Sequence, residues 1–398
     1  MAKGATIAVN PSLLVWAREE SGYDVEIVAK KLQVKEDKLV AWEKGEQKPT
    51  FHQIENLAHV FRRPLSLFFM PRPPNLPPLA AEYRHLPGVE PGGESPELRL
   101  ALRQMVARRE NTLNLMGELG DEIPDFVLRA HLRENPAEVG ARLRAASRIS
   151  VATQLAWTDE WEAWRNWRTA VENIGVLVYQ FAKVPLSEVR GISLLRMPMP
   201  VAAINSKENA ESRAFTLFHE LAHLMLAASN EERSALNETR VGAAWEPIER
   251  FAEIVASHAL VPETALAQAI AAIHQPHSQW DIDDVRKLAR RFKITPLAAA
   301  TRLRESGYMD WAQYAQWRKT WDAYVASLPP KQPGGFSTPV SNVVSRAGIP
   351  FAQLVIEALD SNRITAVEAS RYLDLKFQHF DKLRTQIFTS GQEGAVDE

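Results

Sequence analysis

The chain has 398 residues, 45% apolar and 24% charged, with a formal net charge of −2; the length alone implies two or three domains, and the composition is that of a globular protein. It has no cysteine, which excludes disulfides, thiolate metal sites and a cysteine nucleophile, so any metal must be held by His, Asp or Glu. The near-neutral charge gives no global attraction to nucleic acid, no stretch approaches the roughly 18 uninterrupted apolar residues of a membrane span, and no secretory pattern opens the chain. The expectation is a soluble cytoplasmic protein with no membrane partner.

From Pro11 to Met70, Leu13, Val25, Val28, Ala29, Leu32, Leu39, Trp42, Ile54, Leu57 and Ala58 recur at three- and four-residue intervals, the pattern of a small helical bundle. Gly22 and Gly45 are natural helix stops, and Thr50 is placed to cap the next helix. Residues 71–96 are proline-rich and read as a linker. Helical periods resume from residue 97 and include "FVLRAHLRE" and "PAEVGARLRAAS". Trp157, Trp161, Trp164 and Trp167 follow at steps of four, three and three, which favours a buried aromatic seam. "GVLVYQF", "GISLL" and "PVAAIN" read as short strands, and helical patterns continue to the end. "KQPGGFSTP" reads as a second linker, and no internal repeat stands out. The fold class expected is mainly α with a small β-sheet (α+β).

The segment "FTLFHELAHLML" carries His219-Glu220-x-x-His223. Histidines four apart project from one helix face, about 5–6 Å between β-carbons, so both can reach one zinc ion. Glu220 lies beside that face, where it would take a proton from water at the metal and pass it to a leaving amine. A chance match is expected only about 0.02 times in such a chain, and two histidines with a carboxylate would be costly to bury on an apolar helix without a metal. Two histidines need a third ligand, and the spacing of a nearby third histidine is absent, since Leu226 and Ser229 occupy its Gly and His positions. Glu249 and Glu253, one turn apart in "EPIERFAEIVASHALVP", are the candidates: one to bind zinc, the other to accept a hydrogen bond from a ligating histidine. Glu246 and His258 are weaker ones.

Together "PVAAINS", "SRAFTLFHELAHLML" and "IERFAEIVASHALVP" resemble the ImmA/IrrE family of zinc metallo-endopeptidases, in the version with an N-terminal Xre (Cro/C1-type) helix-turn-helix. The resemblance assigns the third ligand to Glu249, with Glu253 where the family usually has Asn or Asp. It implies a Zn2+ peptidase that cuts a regulatory protein, a repressor or antitoxin-like partner. It also implies a division into 1–70, helix-turn-helix; 71–96, linker; 97–310, zincin-like peptidase domain with a helical lead-in; and 311–398, C-terminal helical module. Arg18 and Glu43 look like the internal ion pair of the Xre fold. The strand "PVAAIN" is the expected partner of an extended substrate, and Tyr179, Arg213 and His258 are candidate electrophiles that no spacing separates.

In a helix-turn-helix the second helix, here about Lys35 to Lys44, would read DNA, with Lys35, Lys38 and Lys44 as candidate contacts. Yet Glu36 and Asp37 would face phosphates, and residues 11–70 hold nine basic and nine acidic side chains, a poor footprint for a polyanion. Docking of a protein by this arm is the competing expectation, homodimerisation on a two-fold DNA site goes with the DNA reading, and a DNA-binding regulator or toxin–antitoxin component is the alternative to an enzyme.

Overall fold

Helices in the N-terminal part begin where the sequence supplies caps. In the computed structural model, which describes residues 5–74, 94–229, 246–273, 279–329 and 337–392, Asn10 accepts the Ser12 amide proton and starts α1 (Pro11–Glu20). α2 (Val25–Leu32) ends on left-handed Gln33 and leads by a short turn into α3 (Glu36–Glu43). Thr50 and Gln53 exchange a reciprocal capping box at α4 (Phe51–Phe61). The apolar faces meet on Val28, Leu39, Trp42, Ile54 and Leu57, as the spacing predicts, with Leu14 in the cluster where the spacing pointed to its neighbour Leu13. Arg18 grips Glu43 through two bonds, Nε–Oε1 2.8 Å and Nη2–Oε2 3.1 Å. Of the 71–96 linker, residues 75–93 lie outside the described residues, as does most of "KQPGGFSTP".

The chain divides into two compact units between Val106 and Ala107, within α5 (Pro96–Leu119). In the first unit, Arg99 donates to the Glu19 carbonyl and Arg103 to the Phe61 carbonyl. The second unit takes everything from 107 onward, and within it residues 340–387 pack with Leu115 in a hydrophobic cluster of their own.

The second unit is mainly helical around a small sheet. "FVLRAHLRE" is not a helix: its side chains alternate, with Phe126 and Ala130 buried and Val127 and Arg129 exposed, a period of two that fits extended chain. The Ala130 amide donates to the Met225 carbonyl. α6 (Pro136–Ala146), α7 (Val151–Ala156) and α8 (Glu160–Glu172) follow, then β1 (Leu177–Phe181), β2 (Gly191–Leu194) and β3 (Val201–Asn205). α9 (Ala210–Ala228), α10 (Glu246–Leu260) and α11 (Glu263–Ile273) come next. α12 (Ile282–Phe292), α13 (Pro296–Glu305) and α14 (Trp311–Ser327) complete this part. α15 (Pro339–Ala347), α16 (Ile349–Asp360), α17 (Ala366–Leu373) and α18 (Phe380–Gln392) close the chain. Among the described residues no single helix is long and apolar enough to cross a membrane.

The sheet order is β1-β3-β2, with β3 parallel to β1 and antiparallel to β2. The strand "PVAAIN" is therefore central, its two edges already paired, and it cannot accept a further strand as the sequence suggested. The seam of tryptophans is buried at Trp157, Trp164 and Trp167, whereas Trp161 is exposed. Trp157 precedes α8 and escapes its helical spacing, and Trp161 lies at the edge, where the Arg213 guanidinium sits 5.0 Å from its ring.

Candidate metal centre

α9 starts at Asn209, whose side chain accepts the Ser212 amide proton. Its length is apolar and almost wholly buried, from Ala214 through Leu217, Phe218 and Leu221 to Leu226. On that helix His219 and His223 turn their Nε2 atoms toward each other at 3.1 Å. From α10, Glu249 brings Oε2 to 3.2 Å from His219 Nε2 and Oε1 to 3.7 Å from His223 Nε2. All three ligand atoms lie within 4.8 Å of one another. A tetrahedral zinc with ligands at about 2.05 Å separates them by about 3.4 Å, so the observed 3.1–3.7 Å edges bracket that value. Two imidazole nitrogens and one carboxylate are also a zinc donor set. Phe215 stacks on His219, ring centroids 6.4 Å apart.

α10 is held at its distance by Gly140 of α6. A Cβ there would stand 2.7 Å from the Val255 carbonyl oxygen and 3.1 Å from the Ala259 nitrogen, so only glycine permits this approach. Farther along, fully buried Gln154 donates to the carbonyls of Leu260 and Phe292, and Arg144 donates to Gln154 and to the Ala259 carbonyl. These bonds fix the end of the helix that carries Glu249.

Glu220 is buried against β2. A Cβ built on Gly191 would lie 2.7 Å from its Oε1 and 2.8 Å from its Cγ. The carboxylate thus occupies the space that any larger residue at 191 would fill. One turn earlier, Thr216 donates from Oγ1 to Glu208 Oε2 at 2.8 Å, and Arg190 holds Glu208 Oε1 at 3.0 Å. Burial pushes the Glu208 carboxyl up, and the Thr216 and Arg190 hydrogen bonds pull it back down. Sequence reasoning missed Gly191, Glu208 and Thr216; the glycine opening "GISLL" was the signal for the first.

The other sequence candidates lie elsewhere. Glu253 is exposed and outside the trio, with Arg304 and Arg250 as charged neighbours. Glu246 is exposed at the start of α10. Tyr179 is buried with its hydroxyl 3.2 Å from Thr112 Oγ1, and desolvation pushes it up to about 12. Arg213 is spent on the carbonyls of Ser206 and Glu208. His258 accepts from Arg302 at 3.1 Å and is driven down to about 4 by burial and that arginine. It follows Glu249 by nine residues, roughly 13 Å along the helix. His258 is not gathered with the trio. In the first unit, Lys35 and Lys44 are the exposed caps of α3, and the Lys38 ammonium sits 5.5 Å from the Trp42 ring centroid. Glu36 and Asp37 are exposed beside them.

No curated protein gives a significant match to the chain. The trio and Glu220 all fall within residues 171–304, which match the family model for the IrrE N-terminal-like domain, Peptidase_M78, and this supports the ImmA/IrrE metallopeptidase family for that region.

Proposed function

We propose that the chain is a zinc-dependent endopeptidase that cuts one regulatory protein, a repressor or antitoxin-like partner, in a stress or mobile-element response. The observation that carries it is the convergence of His219, His223 and Glu249 beside a buried Glu220. These three residues would hold Zn2+, which supplies Lewis acidity for amide hydrolysis. Glu220 holds the proton removed from the attacking water and delivers it to the leaving nitrogen. Its confinement between Thr216 and Gly191 limits the positions its carboxylate can take.

The substrate is best placed along β2. Among the described residues that strand pairs with β3 alone, and Gly191 puts it against Glu220. β1 is the other edge strand, but there Gln180 donates to the Ser345 carbonyl of α15 at 2.6 Å. Strand addition at β2 would present an extended backbone to the catalyst. The acidic first turn of α3 supports the N-terminal unit as a docking arm for protein rather than DNA.

The test maps new protein N-termini in native cells that express either wild type or Glu220→Gln. A cut in a regulatory protein is expected with wild type alone; the same cut at equal rate with Glu220→Gln sinks the mechanism. Metal analysis should find about one zinc in wild type and little in His223→Ala or Glu249→Ala.

A further inference from the structure

The turn joining α2 to α3 recurs near the other end of the chain with the same residue spacing. α2 and α17 are each eight residues long, and each ends on a left-handed residue, Gln33 at φ 56° and Asp374 at φ 50°; they differ at their starts, where Thr365 forms a capping box and Asp24 makes no side-chain cap bond. The bonds across the turn coincide. Val34 N donates to Ala29 O and Leu375 N to Ser370 O; Gln33 N donates to Lys30 O and Asp374 N to Arg371 O. One step on, Lys38 N donates to Lys35 O and His379 N to Lys376 O. The buried positions coincide too: Val28 with Ala369, Leu39 with Phe380, Trp42 with Leu383. α1 packs on α3, and α16 packs on α17 and α18. Aligned by sequence the two stretches share little, so the repeat is visible only in the backbone.

The turn by itself is no reader. α12 and α13 are joined by a similar one, with Lys293 at φ 55° and Ile294 N donating to Ala289 O, but there the second helix buries Ala299, Ala300, Arg302 and Leu303 in the core. After α17 the second helix is open. Lys376, Phe377, Gln378, Lys382 and Thr385 are exposed. Residues 349–392 as a whole hold five basic and five acidic side chains, so the footprint is local to this helix: Asp374 pairs with Arg346 at 3.0 Å and exposed Asp381 with Arg384 at 3.4 Å. Among the described residues Lys376 and Lys382 form no ion pair. At the places of Glu36 and Asp37 in α3 stand Phe377 and Gln378, an apolar ring and an amide.

We infer that residues 349–392 form a second helix-turn-helix, and that this one, rather than α2–α3, binds duplex DNA with Lys376 and Lys382 on phosphates and Gln378 at base edges. Gln378 lies in the 3-10 turn Phe377–His379 that leads into α18; an amide there suits adenine, and the lysines on either side of it suit the backbone.

The full chain is titrated by fluorescence anisotropy into a pool of random-sequence DNA duplexes of roughly 30 base pairs, at about 50 and about 200 mM salt. Micromolar binding is expected at the lower salt, and a Lys376→Gln/Lys382→Gln variant should bind at least about tenfold more weakly. Its salt slope should drop by about two, since each phosphate contact contributes ~0.9. Lys35→Gln/Lys38→Gln should change affinity less than about twofold, and Lys376→Arg/Lys382→Arg should retain binding because charge is kept. On a duplex selected from the pool, Gln378→Ala should erode the preference over random sequence without moving the salt slope. No binding at the lower salt, a loss carried by the N-terminal pair, or equal binding of single-stranded RNA would each overturn the inference.

Discussion

Substituting Gly191 by alanine adds one carbon where Glu220 lies. That Cβ would stand 2.6 Å from Thr216 Cγ2, 2.7 Å from Glu220 Oε1 and 2.8 Å from Glu220 Cγ, whereas ordinary contact begins near 3.4 Å. The carboxylate oxygen must therefore retreat by 3.4 − 2.7 = 0.7 Å. Misplacing a catalytic group by about 1 Å costs up to ~100-fold in rate, so kcat should fall by about tenfold or more on the substrate that N-terminal mapping identifies. Overpacking should also cost about 1–3 kcal/mol of stability. Zinc content should stay at the wild-type level, because the three atoms nearest such a Cβ belong to Thr216 and Glu220 and not to a member of the trio. Thr216→Ser in the Gly191→Ala background removes the clashing methyl and keeps the hydroxyl on Glu208, so melting temperature should recover while turnover does not. Wild-type turnover by Gly191→Ala would refute the placement of Glu220 against β2.

Three further outcomes follow from the packing. Gly140→Ala sets a methyl against the backbone of α10 and should lower stability by about 1–3 kcal/mol, read by urea denaturation, and weaken zinc retention through Glu249. His258 is neutral in the fold because burial and Arg302 hold it near 4, against 6.5 for an unperturbed imidazole. Its contribution is complete above pH 6.5 and is lost as pH falls toward 4; His258→Gln should flatten that acid limb in melts across pH. In the first unit, Arg18→Ala strands the largely buried Glu43 carboxylate and should cost about 3–5 kcal/mol, while Arg18→Met with Glu43→Leu should cost less.

What the sequence disclosed was local. The i, i+4 spacing of His219 and His223 and the period that brings Glu249 to an inward face are properties of single helices. The cap at Thr50 and the three strands are equally local. What it concealed depends on pairing between distant segments. β3 is central because β1 and β2 both choose it, and no feature of "PVAAIN" says so. "FVLRAHLRE" has helix-forming residues, but its Phe126 and Ala130 enter the core by alternation and the Ala130 amide bonds to α9, so tertiary burial overrode propensity. Tyr179, Arg213 and His258 have electrophile chemistry, and only the partners that engage them remove them from the site. The meaning of Gly191 exists only once α9 is laid across β2.

The tryptophan seam ends beside α9, the helix of the candidate metal centre. Trp157 meets Trp167 edge-on at 5.2 Å, and Trp167 meets Phe218 edge-on at 4.9 Å, one residue before His219. The indole of Trp167 is thereby a built-in optical gauge of α9. With cobalt in place of zinc, energy transfer from this ring would quench its emission, and a Trp167→Phe variant would separate that signal from the chain's other tryptophans. Metal loading and helix position could then be followed by fluorescence in unlabelled protein, before any substrate is known.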